Sequence, residues 1–136
     1  LLKTKGDIEH DVRVLLGGMA NEELFFGEQG TTNGAHNDIT RVTQLLHHAV
    51  GEMGMYRKTR LNFGALANES HGGGREVDAE TRSIMEAQSE RLYGETKSVL
   101  FRLKLLTEHL VGKLLEAGEM SLHEALLEVR RFEAAA

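Results

Sequence analysis

Asp38 is the residue of this chain best placed to do chemistry. It closes the stretch 15–38, LLGGMANEELFFGEQGTTNGAHND, where the end of an amphipathic helix runs into a Gly, Thr and Asn loop that delivers one carboxylate at a helix start. A carboxylate held there is a candidate metal ligand, and alone it is one donor where a metal site needs several. The chain has no Cys, which excludes disulfides, thiolate catalysis and Cys-ligated zinc and leaves His, Asp and Glu as the available donors.

The histidines are the other candidates, and each has a plainer explanation. His36 adjoins Asp38 and could add a ligand or a base, although an exposed loop position suits it equally. His47 and His48 are consecutive on the next helix, so one faces the core and one faces solvent, with Glu52 one turn beyond His48. Glu9, His10 and Asp11 diverge around a helix axis and read as solvated surface. His71 lies among glycines, while His109 and His123 lie at or near helix ends, where a cation suits a C-terminal dipole.

The elements that position these groups are helical. Thr4-Lys5-Gly6-Asp7 has the form of a capping box, and Ile8, Val12, Leu15, Leu16, Met19 and Leu24 follow at helical spacing, which predicts a first helix over 5–26. Gly17-Gly18 inside it costs roughly 1 kcal/mol per residue and suggests close packing against another backbone. Residues 27–36 lack periodicity and form a loop; no Gly-Lys-Ser/Thr follows, so it is not a phosphate cradle. Asn37 or Asp38 then caps a second helix whose buried stripe is Ile39, Val42, Leu45, Leu46, Ala49, Val50 and Met53, closed by Gly54.

Residues 54–76, with Lys and Arg in RKTR and glycines at 72–74, read as a long surface loop, partly disordered at the glycines. Periodicity returns at Asp78 and carries a third helix of about 25 to 30 residues. Leu106, Leu110, Leu114 and Leu115 form a shorter helix that Gly118 ends, and Ser121-x-x-Glu124 caps a last helix reaching about Arg131. The Leu positions from 92 to 115 are core first and oligomer interface second. The expected fold is all-α, a single-domain helical bundle of about four to five helices with two irregular loops.

Composition agrees and narrows the function. The 136 residues are 40% apolar but only 5% aromatic, with no Trp and no Pro, a mix that favours helices over strands. A formal charge of −5 with the signs interspersed offers no basic patch for phosphates, so nucleic acid is not an expected partner. No apolar run reaches the ~20 residues of a membrane span, and the chain as given is expected to be soluble. The first residue is not Met and the last three are Ala, which suggests a fragment or a terminal cloning scar.

LLGGMANEELFFG followed by TTNGAHNDITRVTQLLHHAVGEMGM resembles the stretch of FtsH-type ATP-dependent zinc metalloproteases whose consensus reads LLGGRAAEELIFG, then TTGASNDIERATQLARxMV and an ending WGM or WGF. Further on, SVLFRLKLLTEHLVGKLLEAGEMSLHEAL is similar to the family's Tyr-x-x-x-Lys-x-x-Leu helix, here Tyr93, Lys97 and Leu100. Its closing segment matches at Glu119, Ser121 and Leu122. The likeness is specific over 15–55 and supportive over 78–129.

The resemblance implies a helical peptidase domain in which zinc is held by the two His of an H-E-x-x-H helix and by one Asp at the start of a later helix. His36-Asn37-Asp38-Ile39 matches that later motif, so the resemblance makes Asp38 the third metal ligand. Backbone N–H groups at the helix start would hold that carboxylate ionised for the metal. It also implies a membrane-anchored, homo-oligomeric, ATP-driven parent acting on unfolded or membrane proteins. No H-E-x-x-H and no Walker loop occur in these residues, so the chain offers no catalytic residue of its own. The alternative is a non-catalytic relative serving as an interaction or assembly module. Met19-Ala20-Asn21 in place of Arg-Ala-Ala, the missing Lys-Leu-Gly-Pro turn after Met55, and His36 in place of Ser favour that alternative.

Overall fold

The computed structural model describes residues 2–61 and 77–135. Helix α1 spans Lys5–Phe26, α2 His36–His47, α3 Ala79–Ala117 and α4 Leu122–Ala135, and no strand occurs among the described residues. The all-α expectation is met. Residues 62–76, including His71 and the glycines at 72–74, lie outside the described residues, so the surface-loop reading can be compared only over 54–61, which is irregular.

The chain divides into two compact units, Leu1–Lys97 and Ser98–Ala136. In the first, the expected capping box starts α1: Thr4 Oγ1 accepts from the Asp7 amide at 3.1 Å and Asp7 Oδ2 accepts from the Thr4 amide at 2.7 Å. Ile8, Val12 and Leu16 of α1 pack with Val42, Leu46, Ala49 and Leu92 into one core. The i, i+4 spacing on α1 and α2 aligns these side chains along facing stripes, and removing them from water is the main drive for the unit. Ala20, one turn beyond Leu16 on the same face, is fully buried.

Gly17 and Gly18 do not play the packing role their type suggests. A Cβ added at either would meet nothing within 4 Å, because the α1 face that packs is the one carrying Leu16 and Ala20. After α2, residues His48–Glu52 form a single π turn, with the Met53 amide bonded to the His48 carbonyl at 3.0 Å. Gly54 ends it as expected, at φ +67°, where a Cβ would lie 3.2 Å from Arg60 Cα.

Arg57, expected on the surface, is buried to 2% exposure of its side chain. Its guanidinium donates to the Val50 carbonyl at 3.1 Å and to Thr81 Oγ1, and pairs with Asp78 at 3.6 Å. Asp78 in turn caps α3 by accepting from the Thr81 amide at 2.8 Å. One cation thus ties the turn after α2 to the start of α3.

The third helix is a single element of 39 residues, in place of the expected helix of about 25 to 30 residues followed by a shorter one. Leu103, Leu106, Leu110 and Leu114 keep the i+3 and i+4 phase without interruption, so nothing breaks the ladder. Of the Leu stripe, only Leu92 is core; Val99, Leu103, Leu114 and Leu115 are exposed by 43–79%.

In the second unit, Gly118 at φ +78° closes α3, and Ser121 and Glu124 form the expected box, each amide accepted by the other's side chain at 3.2 Å. Helix α4 runs on to Ala135, past the expected end near Arg131, since Ala is the strongest helix former. His109 lies mid-helix rather than near an end. Its Nε2 is 3.0 Å from Glu128 Oε2 and its ring is 5.6 Å from that of Phe132.

Candidate metal-ligand site

Asp38 stands in the first turn of α2, half-buried. It does not cap the helix, nor does Asn37: the helix begins at His36, with Ala35 before it and no side-chain cap. The reason lies in the loop. Thr32 Oγ1 accepts from the Gly34 amide at 3.2 Å and starts a 3-10 turn over Asn33–Ala35, which passes directly into α2. The first turn therefore forms one residue ahead of Asn37, and the Asp38 carboxylate is left uncommitted. Among the described residues it has no hydrogen-bond or ion-pair partner.

Glu22, near the end of α1, holds the loop that leads there. Its Oε2 accepts from the Thr32 amide at 3.0 Å and its Oε1 from Thr32 Oγ1 at 3.1 Å. The neighbouring Glu23 points elsewhere, as a 100° step on a helix requires. It accepts from Tyr93 Oη and from Lys97 Nζ, the latter at 3.3 Å. The Tyr93 hydrogen bond, opposed by burial and aided by Lys97, holds the Glu23 carboxyl below its ordinary value. Burial and Glu23 together push the Tyr93 phenol up. Tyr93-x-x-x-Lys97 is thus a fork on α3 that grips the end of α1, with Lys97 also 4.8 Å from the Tyr93 ring centre.

A third cluster braces the other end of α1. Glu9 accepts from Tyr56 Oη at 2.8 Å and from Arg91 Nη2 at 2.7 Å, while Arg13 reaches Glu95 at 2.7 Å. Burial would raise the Glu9 carboxyl, but the Tyr56 hydroxyl and the Arg91 and Arg13 guanidiniums outweigh it and leave it lowered. Burial and the Glu9 charge push Tyr56 up to about 12. Glu9 is therefore no solvated residue, whereas its neighbours His10 and Asp11 face outward, Asp11 paired with Lys3 at 2.6 Å.

The histidines do not join Asp38. His36 is exposed at the head of α2. His48 is exposed and pairs with Glu52 at 2.7 Å, and His47 is half-buried against Gly51. Among the described residues no three His, Asp or Glu side chains are placed to hold a metal ion. A catalytic zinc takes three protein donors and keeps one position open. A carboxylate such as that of Asp38 is chemically a competent zinc donor, and the described residues do not complete a set of three.

Glu22 and Thr32 were not singled out from the sequence. A Thr two residues ahead of a Gly is the signature of a side-chain turn and could have marked Thr32. Nothing in the helical pattern separates Glu22 from any other exposed Glu.

Comparison with known proteins places the chain in a family. Residues 1–125 match the model of peptidase family M41. The ATP-dependent zinc metalloprotease FtsH of Lancefieldella parvula is 34% identical over 129 residues, covering 87% of this chain and 20% of that protein. FtsH of Aquifex aeolicus is 37% identical over 99 residues, covering 64% and 16%. The YME1 homolog of Schizosaccharomyces pombe, another ATP-dependent zinc metalloprotease, is 38% identical over 111 residues, covering 79% and 16%. The chain belongs to peptidase family M41, as its resemblance implied, and spans about a fifth of the length of these relatives.

Proposed function

We propose that this chain is the carboxyl-terminal part of the proteolytic domain of an FtsH-like ATP-dependent zinc metalloprotease, both units belonging to that one domain, and that it supplies Asp38 as one zinc ligand. The observation that carries the proposal is the Asp38 carboxylate itself. It is fixed on the first turn of α2, half-buried, and unclaimed by any described side chain. A lone carboxylate at a helix start would ordinarily be expected to cap it; this one is left free, as a ligand must be. When bound, zinc would polarise a peptide carbonyl and activate a water.

What the chain's own residues do is narrower. The Glu22 contacts hold the loop that leads into α2, the Glu23 contacts tie the end of α1 to α3, and the sequence contains no H-E-x-x-H glutamate to serve as general base. The chain by itself is accordingly not a peptidase. By family likeness the parent is a membrane-anchored homo-oligomer that degrades unfolded or membrane proteins. No helix among the described residues is long and apolar enough to cross a membrane. Phe101, Leu115 and Leu122, each at least half exposed, support burial of the second unit in an assembly.

The test is hydrolysis of casein by this chain and by the gene product that includes any H-E-x-x-H segment ahead of Leu1, each with zinc and with chelator. The expected result is no cleavage by the chain and zinc-dependent cleavage by the longer protein. A longer protein without H-E-x-x-H and without cleavage would instead establish the assembly-module alternative, which the substitutions at Met19, Asn21 and His36 favour.

A further inference from the structure

The contacts of Glu22 carry more than loop packing. Its two carboxylate oxygens take both donors of Thr32, the amide at 3.0 Å and the hydroxyl at 3.1 Å. With its O–H donating to Glu22, the Thr32 hydroxyl oxygen is left to accept, and it accepts from the Gly34 amide at 3.2 Å. Gly34 lies inside the turn Asn33–Ala35, whose first carbonyl accepts from the His36 amide, and His36 begins α2. An unbroken run of hydrogen bonds therefore leads from Glu22 on α1 to the helix turn that bears Asp38.

The first part of the loop, 27–31, has bonds of its own, Gly27 to the Glu23 carbonyl and Gly30 to the Gly27 carbonyl. For Thr32 the bonds to Glu22 are the hold on α1, and no described apolar side chain of 32–35 is buried to replace them. Hydrogen bonds to an ionised acceptor are about twice as strong as neutral ones, which suits a single carboxylate to the task.

We infer that Glu22 is a positioning residue for Asp38: its carboxylate, through Thr32, sets where the Asp38 ligand stands. The inference rests on the reading of Asp38 as a zinc ligand, while its structural half can be tested without metal.

The first arm measures backbone 15N order parameters in this chain. In Glu22→Ala, residues 32–38 should fall from about 0.85 to below about 0.6, with Asp38 among them, while 42–47 of α2 stay rigid. Glu22→Gln, whose amide oxygen still accepts from the Thr32 N–H, should restore most of the order. Order retained at Asp38 in Glu22→Ala, even with Thr32 and Gly34 loosened, would overturn the positioning role.

The second arm uses the zinc-binding longer protein with cobalt(II) in place of zinc. Glu22→Ala should shift its visible absorption and Glu22→Gln should return it toward wild type; an unchanged spectrum in Glu22→Ala would overturn the inference. Full metal occupancy in Asp38→Asn would instead refute the ligand reading alone.

Discussion

Arg91 Nη2 on α3 donates to Glu9 Oε1 on α1 at 2.7 Å, joining residues 82 apart in the chain. The same carboxylate oxygen accepts from Tyr56, so Glu9 serves three elements at once.

This hub makes stability depend on acid. The folded Glu9 carboxyl lies below the unfolded value of about 4.3, and Glu95, hydrogen-bonded by Arg13 and Arg91, is lowered in the same way. A lowered folded value means that the unfolded state binds protons first on acidification. The contribution is therefore complete above about pH 5 and is lost as pH falls through the depressed folded values. The urea midpoint should be level from pH 7 to pH 5 and should drop below about pH 4. Glu9→Gln should lower stability at pH 7 by about 1–2 kcal/mol and flatten the acid limb. An acid limb as steep as wild type in Glu9→Gln would exclude Glu9 as its source.

Gly17 and Gly18 give a prediction of opposite sign. Neither has a neighbour that a Cβ would strike, and both are interior to α1. Gly17→Ala and Gly18→Ala should each stabilise the chain by about 0.5–1 kcal/mol, read as a higher melting temperature. A loss of stability in either would show a close backbone approach after all.

The Leu stripe of α3 separates in the same experiment. Leu92 is fully buried in the core, and Leu92→Ala should cost about 2–5 kcal/mol. Leu103 is half exposed, and Leu103→Ala should lie within about 0.5 kcal/mol of wild type. Equal losses at the two positions would mean that the exposed stretch is covered in solution.

These contrasts show what the sequence could and could not disclose. Local chemistry was legible: the Thr4 and Ser121 capping boxes, the bounds of α1 and the stop at Gly54 each depend on residues within one turn. The proposal of Asp38 as a ligand draws on its flanking motif and not on helical periodicity. Long-range placement was not. That Arg57 is buried, that Glu9 is a hub, and that Glu22 and Glu23 grip different elements depends on partners 7 to 82 residues away on other elements, to which a helical period is blind. The π turn at His48–Glu52 was missed because the apolar stripe continues through it.

The metal itself can be tested on the chain as it stands. Because no three His, Asp or Glu side chains converge among the described residues, it should retain well under one zinc per chain after dialysis. A tightly held equivalent would show that His36 or the pair His47 and His48 joins Asp38.

The most direct measurement is zinc content in the longer protease-like gene product, wild type against Asp38→Asn. Because Asp38 caps nothing, the substitution should change folding stability by no more than about 2 kcal/mol, the most that a partly buried first-turn charge contributes. Helical content should stay at the wild-type level, while zinc occupancy and casein cleavage fall together. Asp38→Asn with undiminished zinc and undiminished cleavage would contradict the assignment of Asp38 as a ligand.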